Sequence, residues 1–190
     1  PLPIDGVSGP ERAVAEAEQA YVRAAVALTA LRRGSAARLD AAMAAELAPL
    51  KMERAVFTTE LALADPGPDG VDAVQFTVAT NPGAPSGALN KIASGGELSR
   101  FLLALKVCLT GDTPGLTLIF DEIDRGVGGA TADAVGRRLK ALAQGAQVLV
   151  VTHSPQVAAL GGHHWRVEKR VQDGQTRSTV TALSPADRIE

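Results

Sequence analysis

Three short clusters in this chain hold residue types that handle phosphate. In "SGGE", residues 94–97, Ser94 stands where it can cap a helix, and Glu97 stands three residues on, where it can complete a capping box. Capping accounts for those two residues but not for Gly95 and Gly96. Glycine is a poor choice in a first helical turn unless something must approach the backbone closely. Free of side chains, the N–H groups at the positive end of the helix suit an anionic phosphate.

The second cluster, "TLIFDEIDRG" (117–126), ends a buried apolar strand in two adjacent carboxylates. Such a pair repels itself in a low-dielectric site unless it serves a cation or a water. Asp121 is suited to hold magnesium, directly or through its waters, and Glu122, pointing the other way, to polarise an attacking water. A solvated strand end followed by a turn would explain the pair if it stood alone. The third cluster, "VLVVTHSP", ends another apolar strand in His153, whose imidazole can donate to a γ-phosphate oxygen. A lone histidine is usually structural. Serine at a helix mouth, Asp-Glu after one strand and His after another together form a phosphoryl-transfer constellation. One part is missing: no G-x-x-x-x-G-K-[ST] occurs in these 190 residues, so the P-loop lysine and the phosphate-wrapping amides are absent from them.

The elements that must position these residues follow from periodicity. Residues 11–50 are alanine-rich, with Val14, Tyr21 and Leu28 seven apart and Ala17, Ala24 and Leu31 offset by three, an a/d seam. This reads as a coiled-coil strand or as an amphipathic helix pair packed on a domain. The seam blurs at "RRGS" (32–35), where a kink or break is expected, and resumes out of register through Leu39, Met43, Leu47 and Leu50. From residue 55 the period shortens to two: "VFTTELAL" and "VDAVQFTVA" predict two paired strands around the connector "ADPGPDG". After a proline-containing loop come a helix over about 95–110, a strand at 116–120, a helix over about 130–144 and a strand at 146–152. A short helix after Pro155 and two strands around the turn "QDGQ" complete the series. The pattern is α/β: a parallel core with antiparallel strands added, in which ligands gather at the carboxyl ends of strands.

Composition narrows the partners. With 19 basic against 21 acidic residues, and basic groups no denser than Arg32-Arg33 or Arg137-Arg138-Lys140, strong autonomous nucleic-acid binding is not indicated. Aromatic content of 3% argues against base-stacking modules. The single cysteine, Cys108, rules out an internal disulfide framework, which suits a reducing compartment. No apolar run approaches the roughly 18–20 residues of a membrane span, and the opening "PLPIDGVSGPER" lacks the features of a signal peptide. A soluble, cytoplasmic protein is expected.

"SGGELSR", "LIFDEID" and "VTHSPQVA" resemble the signature motif, Walker B strand and switch-histidine loop of an ABC-type ATPase head of the SMC-like kind. More narrowly, "TNPG…LNKIASGGELSRFLLALK", "FDEIDRGVGG" and "THSPQVAALGGHHW" resemble the bacterial RecN family of DNA repair ATPases, over about residues 35–190. Transport ATPases match less well, since proline usually follows their Walker B carboxylates and Ile123 stands here.

The resemblance implies that Ser94, Gly95 and Gly96, with Glu97 beside them, meet the ATP of an opposite head. It also implies that Asp121 serves Mg2+, Glu122 the hydrolytic water and His153 the γ-phosphate in cis. Where SMC heads place a D-loop aspartate, this chain has Gly128, which leaves Asp124 as a stand-in. In this family the P-loop lies in an amino-terminal lobe beyond the two arms of a coiled coil. The expected organisation is therefore a lead-in at 1–10, artificial or locally divergent, a returning coiled-coil segment at 11–52, and the carboxy-terminal lobe of the head at 53–190.

A final helix is expected to begin at "SPADRIE", with more chain following in the parent. The implied partners are the amino-terminal Walker A lobe, a second head in a homodimer, and DNA, on the bacterial nucleoid. The isolated chain should be inactive. The alternatives are a non-catalytic coiled-coil interaction module and the head of another SMC-like ATPase.

Overall fold

The computed structural model describes residues 9–81, 83–92, 94–110, 115–172 and 175–188. Most of the expected lead-in, the centre of the "QDGQ" turn and the last two residues fall outside the described residues. The chain forms two compact units: α1 up to Ala45 with Arg54–Ile92, and Glu46–Glu53 with the chain from residue 94 onward.

In the first unit, α1 (Gly9–Leu47) is one helix of 39 residues that runs through 32–35 without the expected break. Its contacts explain why. Tyr21, Thr29, Arg32 and Asp40 lie on one face and bond an antiparallel sheet of β1 (Val56–Gly67), β2 (Gly70–Ala79) and β3 (Gly87–Ala88). The Tyr21 hydroxyl accepts from the Gly67 amide at 3.0 Å and lies 3.1 Å from the Gly70 carbonyl. The single Thr29 hydroxyl proton is shared by the two oxygens of Asp72, at 2.9 and 2.7 Å, and Arg32 pairs with Asp72 at 3.1 Å. Asp40 accepts from the backbone and hydroxyl of Thr59 at 2.9 and 2.7 Å. Polar anchors at helical spacing thus hold the helix where the apolar seam fades.

Of the predicted seam, Tyr21 and Leu28 are half-buried, whereas Val14, Ala17, Ala24 and Leu31 are exposed. β1 also runs past its predicted end into "ADPG", with the register shifting between Leu63 and Gly67. Pro66 is tolerated there because β1 is an edge strand.

In the second unit, α2 (Gly95–Thr110), β4 (Thr117–Asp121), α3 (Gly129–Leu142), β5 (Gln147–Val151) and α4 (Pro155–Ala158) form the expected α/β alternation. β4 and β5 pair in parallel, from Thr117 opposite Gln147 to Asp121 opposite Val151. Phe101, Leu103, Ala104, Phe120, Val135 and Leu139 supply the core, joined by Leu47 and Leu50 from the segment that ends α1. Burying these side chains is the main stabilising term, at roughly 1.5–3 kcal/mol for each large one.

β4 is covered on one face alone: Phe120 is buried while Ile119 is 61% exposed, so the strand expected to be buried is open on its other side. β6 (His164–Gln172) and β7 (Gln175–Leu183) form an antiparallel hairpin. One of its faces carries Trp165, Val167, Val171 and Val180, all exposed. Two polar ties reinforce the unit. Arg138 grips Glu46 with two hydrogen bonds at 2.5 and 2.8 Å, and Arg100 donates to the carbonyls of Gly96, Leu50 and Lys51 at 3.1, 3.0 and 3.2 Å. The second tie joins the first turn of α2 to the carbonyls of the turn that follows α1.

Candidate functional site

Ser94 precedes α2, and its hydroxyl accepts from the Glu97 amide over a long 3.4 Å. That is half of the expected capping box. Among the described residues the Ser94 amide does not donate in return to the Glu97 carboxylate, so Glu97 is not committed to the cap. Ser94 and Gly95 are exposed, and a Cβ on Gly95 would meet nothing within 4 Å. Gly96 differs: it is buried, and a Cβ there would stand 2.9 Å from Val127 Cγ1 and 3.0 Å from the Gly126 carbonyl oxygen. Packing on the loop after β4 therefore demands glycine at 96, while the surface beside Gly95 remains open to an incoming group.

The parallel register brings the other two clusters together. Because Asp121 lies opposite Val151, the Glu122 amide donates to the Val151 carbonyl at 2.9 Å, and His153 follows two residues later on the neighbouring strand end. Asp121, Glu122 and His153 are all exposed. Glu122 adopts φ +47, in the left-handed region, which costs a non-glycine residue roughly 1–2 kcal/mol. Strain of this kind collects where a side chain must be aimed rather than where stability is wanted. The Glu122 carboxylate lies 3.6 Å from the Arg125 guanidinium, a pair that solvent screens.

Beyond Glu122 the chain turns inward. Arg125 N–H donates to the Glu122 carbonyl at 3.0 Å, Val127 N–H to that of Asp124 at 3.2 Å, and Gly128 leads into α3 in extended backbone. Gly128 is exposed. Asp124, the stand-in for a D-loop carboxylate facing a ligand, is placed otherwise: it is 2% exposed and accepts a short hydrogen bond from the Thr152 hydroxyl. Thr152 was not among the residues expected to matter. Its signal was its place beside His153 at a strand end, but only the fold pairs it with Asp124.

Among the described residues no group of three or more His, Cys, Asp or Glu side chains could enclose a metal. A single exposed carboxylate, Asp121, fits the habit of Mg2+, which takes one or two protein carboxylates and fills the rest of its shell with phosphate oxygens and water. The phosphate ligands would have to arrive with the nucleotide.

No family model matches the chain. It is 45% identical over 173 residues to the DNA repair protein RecN of Rickettsia conorii, covering 91% of this chain and 32% of that protein. Against RecN of Haemophilus influenzae it is 48% identical over 168 residues, covering 87% and 30%. The chain thus spans about a third of the length of these curated relatives. Two solved structures share its fold. The Smc head domain with a coiled coil and joint from Pyrococcus yayanosii has a TM-score of 0.64 at 22% identity, covering 80% of this chain and 28% of that one. A structure from work on ATP-driven dimerization and DNA stimulated activation of SMC ATPases has a TM-score of 0.60 at 21% identity, covering 85% and 92%. Along about nine-tenths of its length, therefore, this chain is homologous to a segment of the curated RecN proteins, and its fold is that of solved SMC heads.

Proposed function

We propose that the chain is the second lobe of a DNA repair ATPase head, in which ATP is held between two heads and its hydrolysis lets them part. The observation that carries this reading is the juxtaposition of Asp121, Glu122 and His153 at the carboxyl ends of the paired strands β4 and β5. In that arrangement Asp121 holds the Mg2+ that accompanies ATP, Glu122 accepts a proton from the attacking water, and His153 donates to the γ-phosphate. Bound with the nucleotide, Mg2+ neutralises charge on the phosphate oxygens. The open backbone at Ser94 and Gly95, with Gly96 and Glu97 behind it, serves the ATP of the opposite head.

The Walker A lobe that holds the β- and γ-phosphates is a separate part of the protein and the first partner of this chain. A second head and DNA, on the bacterial nucleoid, are the others. The exposed apolar residues of α1, Val14, Val22, Val26 and Leu31, suit the returning arm of a coiled coil that tethers DNA. No helix among the described residues is long and apolar enough to cross a membrane.

Glu122→Gln in the complete protein tests the reading. The amide keeps the shape but cannot take the proton, so ATP binding and head pairing should persist while turnover falls on the order of 100-fold or more. Near-normal turnover would remove Glu122 from the role of water activator. A complete protein with no ATP turnover would favour a non-catalytic interaction module.

A further inference from the structure

The loop after β4 and the loop after β5 are joined by a hydrogen-bond relay that the phosphate chemistry above does not use. The Ser154 amide donates to the Thr152 hydroxyl oxygen at 2.9 Å, and the same hydroxyl donates to Asp124 Oδ2. A threonine hydroxyl has one proton, so accepting from Ser154 leaves that proton for the carboxylate. His153 sits between the two relay residues, and its backbone is bracketed on both sides. Glu122 lies two residues before Asp124, and its own amide bonds the carbonyl of Val151, just before Thr152. The loop that carries the water activator and the loop that carries the imidazole are thus tied twice, once through backbone and once through side chains.

The side-chain tie is an odd choice for stability. Asp124 is almost wholly buried, and its second oxygen, Oδ1, has no hydrogen-bond partner. Leaving a buried acceptor unmade costs about 1–3 kcal/mol, and a pair of apolar side chains of similar shape would hold the two loops together as firmly. What a carboxylate and a hydroxyl supply that apolar contact does not is direction. Their hydrogen bond fixes the angle and spacing of the two loops, where apolar packing would let them slide.

We propose that Asp124 is a positioning residue which, through Thr152, holds His153 in register with Glu122. This inference rests on the ATPase reading above. Asp124 touches neither nucleotide nor water itself. Its effect lies in the distance between two groups that must act on one γ-phosphate, where a displacement of about 1 Å can cost on the order of 100-fold in rate.

The test uses the complete protein with three variants at the relay. Thr152→Val removes the hydroxyl, Thr152→Ser keeps it, and Asp124→Leu with Thr152→Val replaces both partners by apolar groups, so that no buried carboxylate is stranded if the single variant folds poorly. Steady-state ATP turnover is measured together with amide hydrogen exchange at residues 152–154 and 156.

Thr152→Val and the double variant should each lower kcat about 10-fold or more while KM for ATP stays within about 3-fold, and Thr152→Ser should stay close to wild type. Exchange at the Ser154 amide should quicken in the variants lacking the hydroxyl. A double variant that folds and keeps both wild-type kcat and wild-type exchange at Ser154 would overturn the inference, as would a Thr152→Ser variant as impaired as Thr152→Val. If the wild-type protein shows no turnover, the ATPase reading fails and the positioning role falls with it, while unchanged Ser154 exchange in Thr152→Val would separately show that the relay does not hold the loop.

Discussion

Gly96 and Val127 touch so closely that any side chain on the first would collide with the second: a Cβ on Gly96 would lie 2.9 Å from Val127 Cγ1. The first turn of α2 is thereby seated on the loop that follows the Asp121-Glu122 pair. Gly96→Ala should destabilise the protein by about 1–3 kcal/mol through overpacking, despite the better helix propensity of alanine. Gly95→Ala, with open space around its Cβ, should leave the melting temperature unchanged or slightly raised and yet weaken ATP-dependent head pairing. Melting curves and sedimentation with ATP separate the two. A Gly95→Ala protein that pairs normally would leave Gly95 without a ligand role.

Ser94 caps α2 through the Glu97 amide, and aspartate caps a helix as well as serine does. Ser94→Asp should therefore melt like the wild type. If Ser94 meets the γ-phosphate of an opposite head, the added charge should abolish pairing driven by ATP. A variant that both melts and pairs normally would leave the cap as the whole role of Ser94.

Asp72 gives α1 a pH dependence. The Thr29 hydroxyl, and with it Arg32, holds the Asp72 carboxyl below the usual carboxylate range, while its burial pulls the other way. A depressed folded pKa means stability that is present above the ordinary carboxylate value, about 3.9, and lost as the pH falls through the folded one. The difference in melting temperature between wild type and Thr29→Val should thus be largest near neutral pH and shrink below about pH 4. A difference that stays constant from pH 7 to pH 3 would show that the ionised carboxylate is not its source.

The 190 residues alone should neither bind ATP tightly nor hydrolyse it, because no Walker A lysine or phosphate-wrapping loop is present in them. Adding the amino-terminal lobe as a separate chain should restore binding. Calorimetry with ATP and Mg2+ decides this, and micromolar binding by the chain alone would refute the half-site reading. Trp165, the one tryptophan in the chain, is 62% exposed on the apolar face of the β6–β7 hairpin. Its emission should move to the blue if the added lobe covers that face.

The sequence by itself determined the element series, because period and turn chemistry are local. Period-two and helical spacing placed α2, β4, α3, β5, α4 and the β6–β7 hairpin within about two residues of where they form, and residue type at the ends of apolar strands marked Asp121, Glu122 and His153 as candidates. What it missed depends on contacts between distant residues. The continuity of α1 through 32–35 comes from polar bonds to β1 and β2, which no apolar periodicity can report. Two glycines that looked alike in "SGGE" were separated only when the loop at 126–127 came to rest against one of them.

The resemblance to SMC heads offered Asp124 as a stand-in for the D-loop carboxylate, since Gly128 occupies that position. The turn after β4, with Glu122 at positive φ, instead carries it inward to Thr152. Backbone direction at a turn follows from what the tertiary structure packs against it, and the same four residues, "DEID", would read identically with that turn facing either way.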